Sequence, residues 1–305
     1  MSKTFLLSGL DGANPLAFLA ALGVLRMLRG APCRGRLGWQ VVEGTWRPVV
    51  TVDVDGGDRE LCARLAEMAR LEPPAIRQLG KNLTVAPDVF QAYVGSVEQM
   101  LHIDGDGRGA EFAAAFGSEV CVDTKMNCIE NTSFSFIRGS GHQDFISAAI
   151  RLSESVTEEH LHEALFGPWE YKDESLSFRW NPGDAAEYAL SAGNPSKEGV
   201  WTVWGANRLA FEALPLLPVQ PTRRGLQTTG FREDRNRKEF SWPLWYAPLG
   251  VDTIRSLLSH SELRRDIPDR RILGAMGVGE VFRAPRVRIG TPGKFKLSFR
   301  PARAV

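Results

Sequence analysis

Cysteine is the first shortage. The 305-residue chain has four, Cys33, Cys62, Cys121 and Cys128, and none forms a C-x-x-C pair. Disulfide scaffolds are shorter and denser in cysteine, and zinc ribbons need tighter pairing, so both classes are excluded. Free thiols in a reducing cytoplasm are the expectation. Long hydrophobic runs are also missing. The longest, Pro15 to Leu25, ends at Arg26, far short of the roughly 20 residues that a bilayer demands. Asp11 and Asn14 interrupt the apolar N-terminal stretch, so no signal peptide is expected and no membrane partner. Net charge is nearly absent, with 37 basic against 36 acidic residues and a formal total of +1. A uniformly basic coat and an acidic disordered chain are both ruled out.

Histidine is scarce as well, with five in all. His160 and His162 alternate, which on a helix places them about 200° apart and unable to share a metal. Asp104-Gly-Asp106-Gly resembles half a calcium loop, but Arg108 stands where a third oxygen ligand belongs. There is no G-x-S-x-G elbow, since Ser140 in RGSGH lies in the wrong frame. GAMGVGE around Gly277 lacks both the phosphate-loop lysine and the dinucleotide-binding spacing. Neither metal nor cofactor is expected.

What the chain does contain is strands mixed irregularly with helices. Lys3 to Ser8 reads as a first strand, and Asn14-Pro15 opens an apolar helix that runs to Gly30. WQVVEG and PVVTVDV predict a hairpin around Gly44. Helices are expected over Asp58–Leu71, Asp88–Met100, Ala110–Phe116, Asp144–Leu152 and Thr157–Phe166, with a further turn or two at Ala185–Leu190. Val120–Val122 and Ser133–Ile137 predict strands, and Trp201–Leu217 a strand that turns helical. Arg286–Ile289 and Lys294–Phe299 close the chain as strands. The pattern predicts an α+β fold, with a mixed, mainly antiparallel sheet, packed helices and a basic Gly/Arg-rich C-terminal segment. We divide it into 1–155, containing the buried helix, and 156–305, carrying the basic segment; one domain is the alternative.

The near-zero total charge hides an asymmetry. Thr222 to Val305 has 18 basic and 8 acidic residues, a net of +10, which leaves −9 on the remainder. Of the 37 cations 29 are arginine, whose planar fork binds phosphate bidentately and stacks on bases. Arg223, Arg224, Arg232, Arg235, Arg237 and Lys238 crowd together, and Trp242 and Trp245 follow. Cations for phosphate beside rings for unpaired bases is how single-strand binders are built. A second cluster, spanning Arg283 to Arg303, interleaves Arg283, Arg286, Arg288, Lys294, Lys296 and Arg300 with glycines, and Arg286 and Arg288 share a face if the segment is a strand. Arg300 aside, these thirteen residues are the candidate nucleic-acid site. A solvated basic loop before an ordinary aromatic core is the rival reading of the first cluster, and a basic edge hairpin that of the second.

Three segments carry a resemblance. LSGLDGANPLAFLAALGVLRML resembles the opening of CRISPR-associated proteins of type I-U (I-G) systems. SLSFRWNPGDAAEYAL, followed by TVWGANRLAFEALPLLPV, is similar to a stretch of the same group, and the basic C-terminal segment resembles its glycine loops. The resemblance implies an effector-complex subunit, large-subunit-like or of the ferredoxin-like RNA-binding group. Its partners would be guide RNA, target DNA and other effector subunits. The expected function is therefore non-catalytic, with base pairing supplying sequence discrimination and protein supplying backbone charge. Two alternatives stand beside it. One is a metal-independent endoribonuclease maturing CRISPR RNA, with His142 as base and Arg138 or Lys125 stabilising the phosphorane. The other is an interaction protein docking on an acidic partner.

Overall fold

Asn14 caps a helix, and the fold is assembled around it. In the computed structural model, which describes residues 2–30, 34–137, 143–183, 200–234, 237–291 and 294–305, the Asn14 side chain accepts from Leu16 N at 2.9 Å. Proline fixes the first turn of α1 (Pro15–Met27), and all thirteen helical residues are buried. A helix apolar on every side belongs in the middle of a core, and α1 lies there. It ends at Met27, one turn before Gly30, where Leu28 N bonds Val24 O.

A three-stranded antiparallel sheet lies beside α1, in the order β1 (Lys3–Leu6), β3 (Thr45–Val52), β2 (Arg36–Val42). Val42 pairs with Thr45, so Glu43 and Gly44 alone make the turn, both at positive φ. That geometry matches the right-handed strand twist and explains why the hairpin forms at Gly44. The helices α2 (Asp58–Ala69), α3 (Pro87–Asp104), α4 (Arg108–Phe116), α5 (Phe145–Ser155) and α6 (Glu158–Leu165) follow, with the β4 (Gly117–Asp123)–β5 (Cys128–Asn131) hairpin between α4 and α5. A two-residue ladder, β6 (Asp173–Glu174) with β7 (Trp201–Thr202), leads into α7 (Trp204–Glu212), which packs along α1. These two helices come from either side of position 155 and share one continuous core.

The C-terminal part is built of hairpins. β8 (Val219–Thr222) pairs with β9 (Gly225–Thr228), and a sheet follows in the order β10 (Phe231–Asp234), β11 (Arg237–Trp245), β12 (Val278–Thr291), β13 (Lys294–Phe299). β14 (Arg303–Ala304) pairs with β12, and α8 (Val251–Leu258) and α9 (Arg270–Ala275) fill the β11–β12 connection. All these pairings are antiparallel. The fold is α+β.

Ser133–Ile137 forms no strand, contrary to the sequence reading. Its backbone bonds hydroxyls instead: Ser133 N donates to Thr228 Oγ1 at 2.8 Å and Phe134 N to Thr132 Oγ1 at 3.3 Å. Phe134 then drives its ring edge-on against Trp180, Phe231 and Phe240. The expected helix at Ala185–Leu190 lies outside the described residues. So does Cys33; Cys62 and Cys121 are buried free thiols and Cys128 is half-buried.

The structure corrects the reading of Trp242 and Trp245. Both are fully buried, with indole N–H groups donating to Gly12 O at 2.9 Å and Leu37 O at 2.7 Å. Trp242 stacks against Phe18 and Phe240, which also touch each other, and Trp245 meets Trp39 edge-on. β11 is a central strand covered on both faces, so its rings have no access to a base. Trp242→Ala should therefore lower the unfolding free energy by about 3–5 kcal/mol, as for other buried large-to-small changes. A urea titration checks it, and a loss under ~1 kcal/mol would contradict this packing.

Candidate nucleic-acid interface

Thr222 pairs with Gly225, leaving Arg223 and Arg224 as the two tip residues of the β8–β9 hairpin. Thr222 Oγ1 accepts from Arg224 N at 3.2 Å and donates to Gly225 O at 2.7 Å, while Gly225 supplies the positive φ that closes the turn. Glu130 accepts from Leu226 N at 2.6 Å and ties the hairpin to β5. The two guanidinium groups are thus presented on a braced loop. Both are exposed, and among the described residues no carboxylate lies within ion-pair distance of either.

Arg223 and Arg224 line a hollow of about 440 Å³ together with Arg232 and Lys238. Lys238 Nζ reaches Ser133 Oγ at 3.4 Å. Just beyond the Glu239–Pro285 pair, Arg286 donates to the carbonyl of the same Ser133 at 3.0 Å. Arg286 also borders a second hollow, of about 380 Å³, with Arg237, Arg300 and Arg303. Ser133 therefore joins two cation-lined hollows across the β11–β12 strands.

Acidic groups occupy part of this surface. Arg232 is mostly buried, paired with Asp266 and, at 3.7 Å, with Glu239. Glu239 also lies 3.9 Å from Arg303. Arg283, expected at the nucleic-acid surface, is buried instead. It is 1 % exposed and donates to Ser241 Oγ, Asp266 O and Arg265 O, pinning the Leu263–Asp266 segment onto the sheet. Burial, with Arg232 close by, holds its pKa below the ordinary arginine value. Its role is structural, because each N–H given to a carbonyl is withheld from phosphate.

Arg286 and Arg288 share a face of β12, and Arg288 is exposed, its guanidinium 4.6 Å from the centre of the Phe295 ring. Phe295, opposite Gly290 near the hairpin tip, is itself 39 % exposed. It is the aromatic that sequence reasoning misses. Its signal is Lys294-Phe295-Lys296, a ring flanked by lysines where the strand leaves the core. Arg300, expected in the second cluster, borders the second hollow, whereas Arg303 is missed as a partner because the β12–β14 pairing that brings it to Arg283 is invisible locally. Lys296 is half-buried, and Arg237 is exposed at the start of β11. Arg235 and the Lys294 side chain lie outside the described residues, as do Arg138 and His142. Lys125 is exposed in the β4–β5 turn.

Asp106 proves to be a helix-end group, accepting from Arg108 N at 2.8 Å. Among the described residues no cluster of His, Cys, Asp and Glu side chains could hold a metal. None of the described helices is long and apolar enough to cross a membrane. No family model and no curated protein matches this chain.

Proposed function

We propose that the chain is a non-catalytic subunit of a type I CRISPR effector complex, holding guide RNA or target DNA by its backbone on the β8–β13 surface. The observation that carries the nucleic-acid reading is the Arg223–Arg224 tip: two exposed guanidinium groups, braced by Thr222 and Glu130, over a hollow lined by two further cations. Arg232 is already taken up by Asp266 and Glu239, so the charge offered to a ligand comes from Arg223, Arg224 and Lys238, against the lining carboxylate of Glu233. Arginine at such a site takes phosphate oxygens in pairs. Arg288 and the half-exposed Phe295 add a face on which a base can stack. The assignment to a CRISPR complex rests on the resemblance of the two NP-containing segments and the basic tail.

Arg223→Ala/Arg224→Ala should weaken binding of single-stranded RNA and make the log–log salt dependence shallower by about 0.7 for each phosphate no longer neutralised. Phe295→Ala should instead cost roughly 1–3 kcal/mol per stacked base with little change of slope. Fluorescence anisotropy across a salt series separates the two. Affinity and slope equal to wild type in the arginine variant, with melting unchanged, would reduce the tip to a solvated turn.

A further inference from the structure

Four arginines converge at a second place, three of them from the part of the sequence whose formal charge is negative. Arg29 follows the end of α1, Arg34 and Arg36 lead into β2, and Arg255 lies on α8. Together they line a groove of about 600 Å³. One carboxylate, Glu111, sits against it and is already shared: it pairs with Arg29 at 2.5 Å, with the buried Arg26 at 2.7 Å and with Arg255 at 3.6 Å. Asp252, the other lining acid, is almost fully exposed and 3.7 Å from Arg255. Arg34 and Arg36 are exposed, and among the described residues neither is within ion-pair distance of a carboxylate.

We infer that this groove is a second anion site, separate from the hairpin surface, that binds the phosphate groups of a nucleotide or of a nucleic-acid backbone. Glu111 holds two of the guanidinium groups in place, so their remaining N–H donors are oriented before a ligand arrives, which reduces the ordering cost of binding. Arg34 and Arg36 supply charge that no described carboxylate compensates. An acidic peptide is the weaker match. Among the described residues Val251 is the only large apolar side chain lining the groove, so a peptide would find charge but no pocket for an anchoring side chain. Phosphate needs no such anchor, and the planar arginine fork fits its oxygens.

The test uses the full chain carrying Arg34→Ala/Arg36→Ala, which leaves every Glu111 ion pair intact. Fluorescein-labelled single-stranded RNA, labelled ATP and labelled polyglutamate are titrated against it and the wild type, with thermal melting as the folding control. The expected result is RNA binding weakened roughly tenfold, as for removal of one or two charge-assisted hydrogen bonds, and a salt slope shallower by about 1.4. If ATP binding falls while RNA binding does not, the phosphate site stands and its ligand is a free nucleotide. Unchanged binding of both RNA and ATP overturns the inference, as does a loss confined to polyglutamate. The Arg223→Ala/Arg224→Ala variant, run in parallel, separates this site from the hairpin surface: each pair can lose its effect while the other keeps it.

Discussion

Glu212→Gln should lower the unfolding free energy by about 3–5 kcal/mol, the range for removing one member of a buried charge cluster. The carboxylate at the end of α7 is 1 % exposed and accepts from Arg26 at 2.6 Å, Arg108 at 2.5 Å and Arg208 at 2.8 Å. Three guanidinium groups from α1, α4 and α7 therefore meet on one anion. Arg208 and Arg108 also brace the end of α2, Arg208 through Ala69 O and Leu71 O and Arg108 through Leu71 O and Glu72 O, while Arg26 turns its second N–H group to Glu111. The glutamine substitution keeps the shape and removes the charge; Arg26 keeps Glu111, but Arg108 and the buried Arg208 lose their carboxylate. Burial alone would raise the pKa of Glu212, but Arg208, Arg108 and Arg26 outweigh it and hold the group below its ordinary value of 4.5. A carboxylate depressed in the folded state stabilises the protein above its unfolded pKa, and that stabilisation is lost as pH falls through the folded value. The wild type should therefore lose stability on acidification below about pH 4.5, more steeply than Glu212→Gln. Chemical denaturation from pH 7 downwards measures both effects; parallel curves would remove Glu212 from the account.

This cluster shows where sequence reading stops. ANRLAFEAL spaces Arg208 and Glu212 as an i,i+4 pair, which at a surface is worth only a few tenths of a kcal/mol. Nothing local says that Arg26, 186 residues away, completes it. The buried helix, by contrast, is legible, because Asn14-Pro15 is local capping chemistry and an all-round apolar helix has one place to go. The β2–β3 hairpin is legible from Gly44 for the same reason. The end of α3 lies beyond the expected Met100 although its signal is local: Gly105 takes a φ of +69° and donates to Leu101 O. At the candidate interface, charge density locates Arg223 and Arg224, whose exposure follows from a two-residue turn. It misjudges Trp242, Trp245 and Arg283, because strand order decides burial, and β11 and β12 become central only through pairings on both sides. A basic and aromatic segment reads the same whether its rings meet bases or other rings.

Gly23→Ala should be the most damaging single-methyl addition in α1. A Cβ at Gly23 would lie 1.8 Å from Leu209 O and 2.6 Å from Leu209 C, so α1 and α7 touch backbone to backbone. No rotamer change relieves a clash with a carbonyl; the helices must separate. Alanine gains roughly 1 kcal/mol over glycine in helix propensity, whereas overpacking a rigid core costs about 1–3 kcal/mol, occasionally more. Here the cost sits at the top of that range, because separation is transmitted along both helices. Arg26 lies three residues beyond Gly23, and Glu212 three beyond Leu209, so parting the helices lengthens the 2.6 Å ion pair between them. A net loss of at least about 3 kcal/mol is expected, through overpacking and a weakened buried ion pair together. Gly95→Ala is the control. It stands in α3 with nothing within 4 Å of an added Cβ, and there the propensity gain of about 0.5–1 kcal/mol should appear unopposed. Urea midpoints of the two variants should move in opposite directions from wild type. A Gly23→Ala protein within ~1 kcal/mol of wild type would mean that α1 and α7 do not meet at this contact, and the Arg26–Glu212 geometry would fall with it.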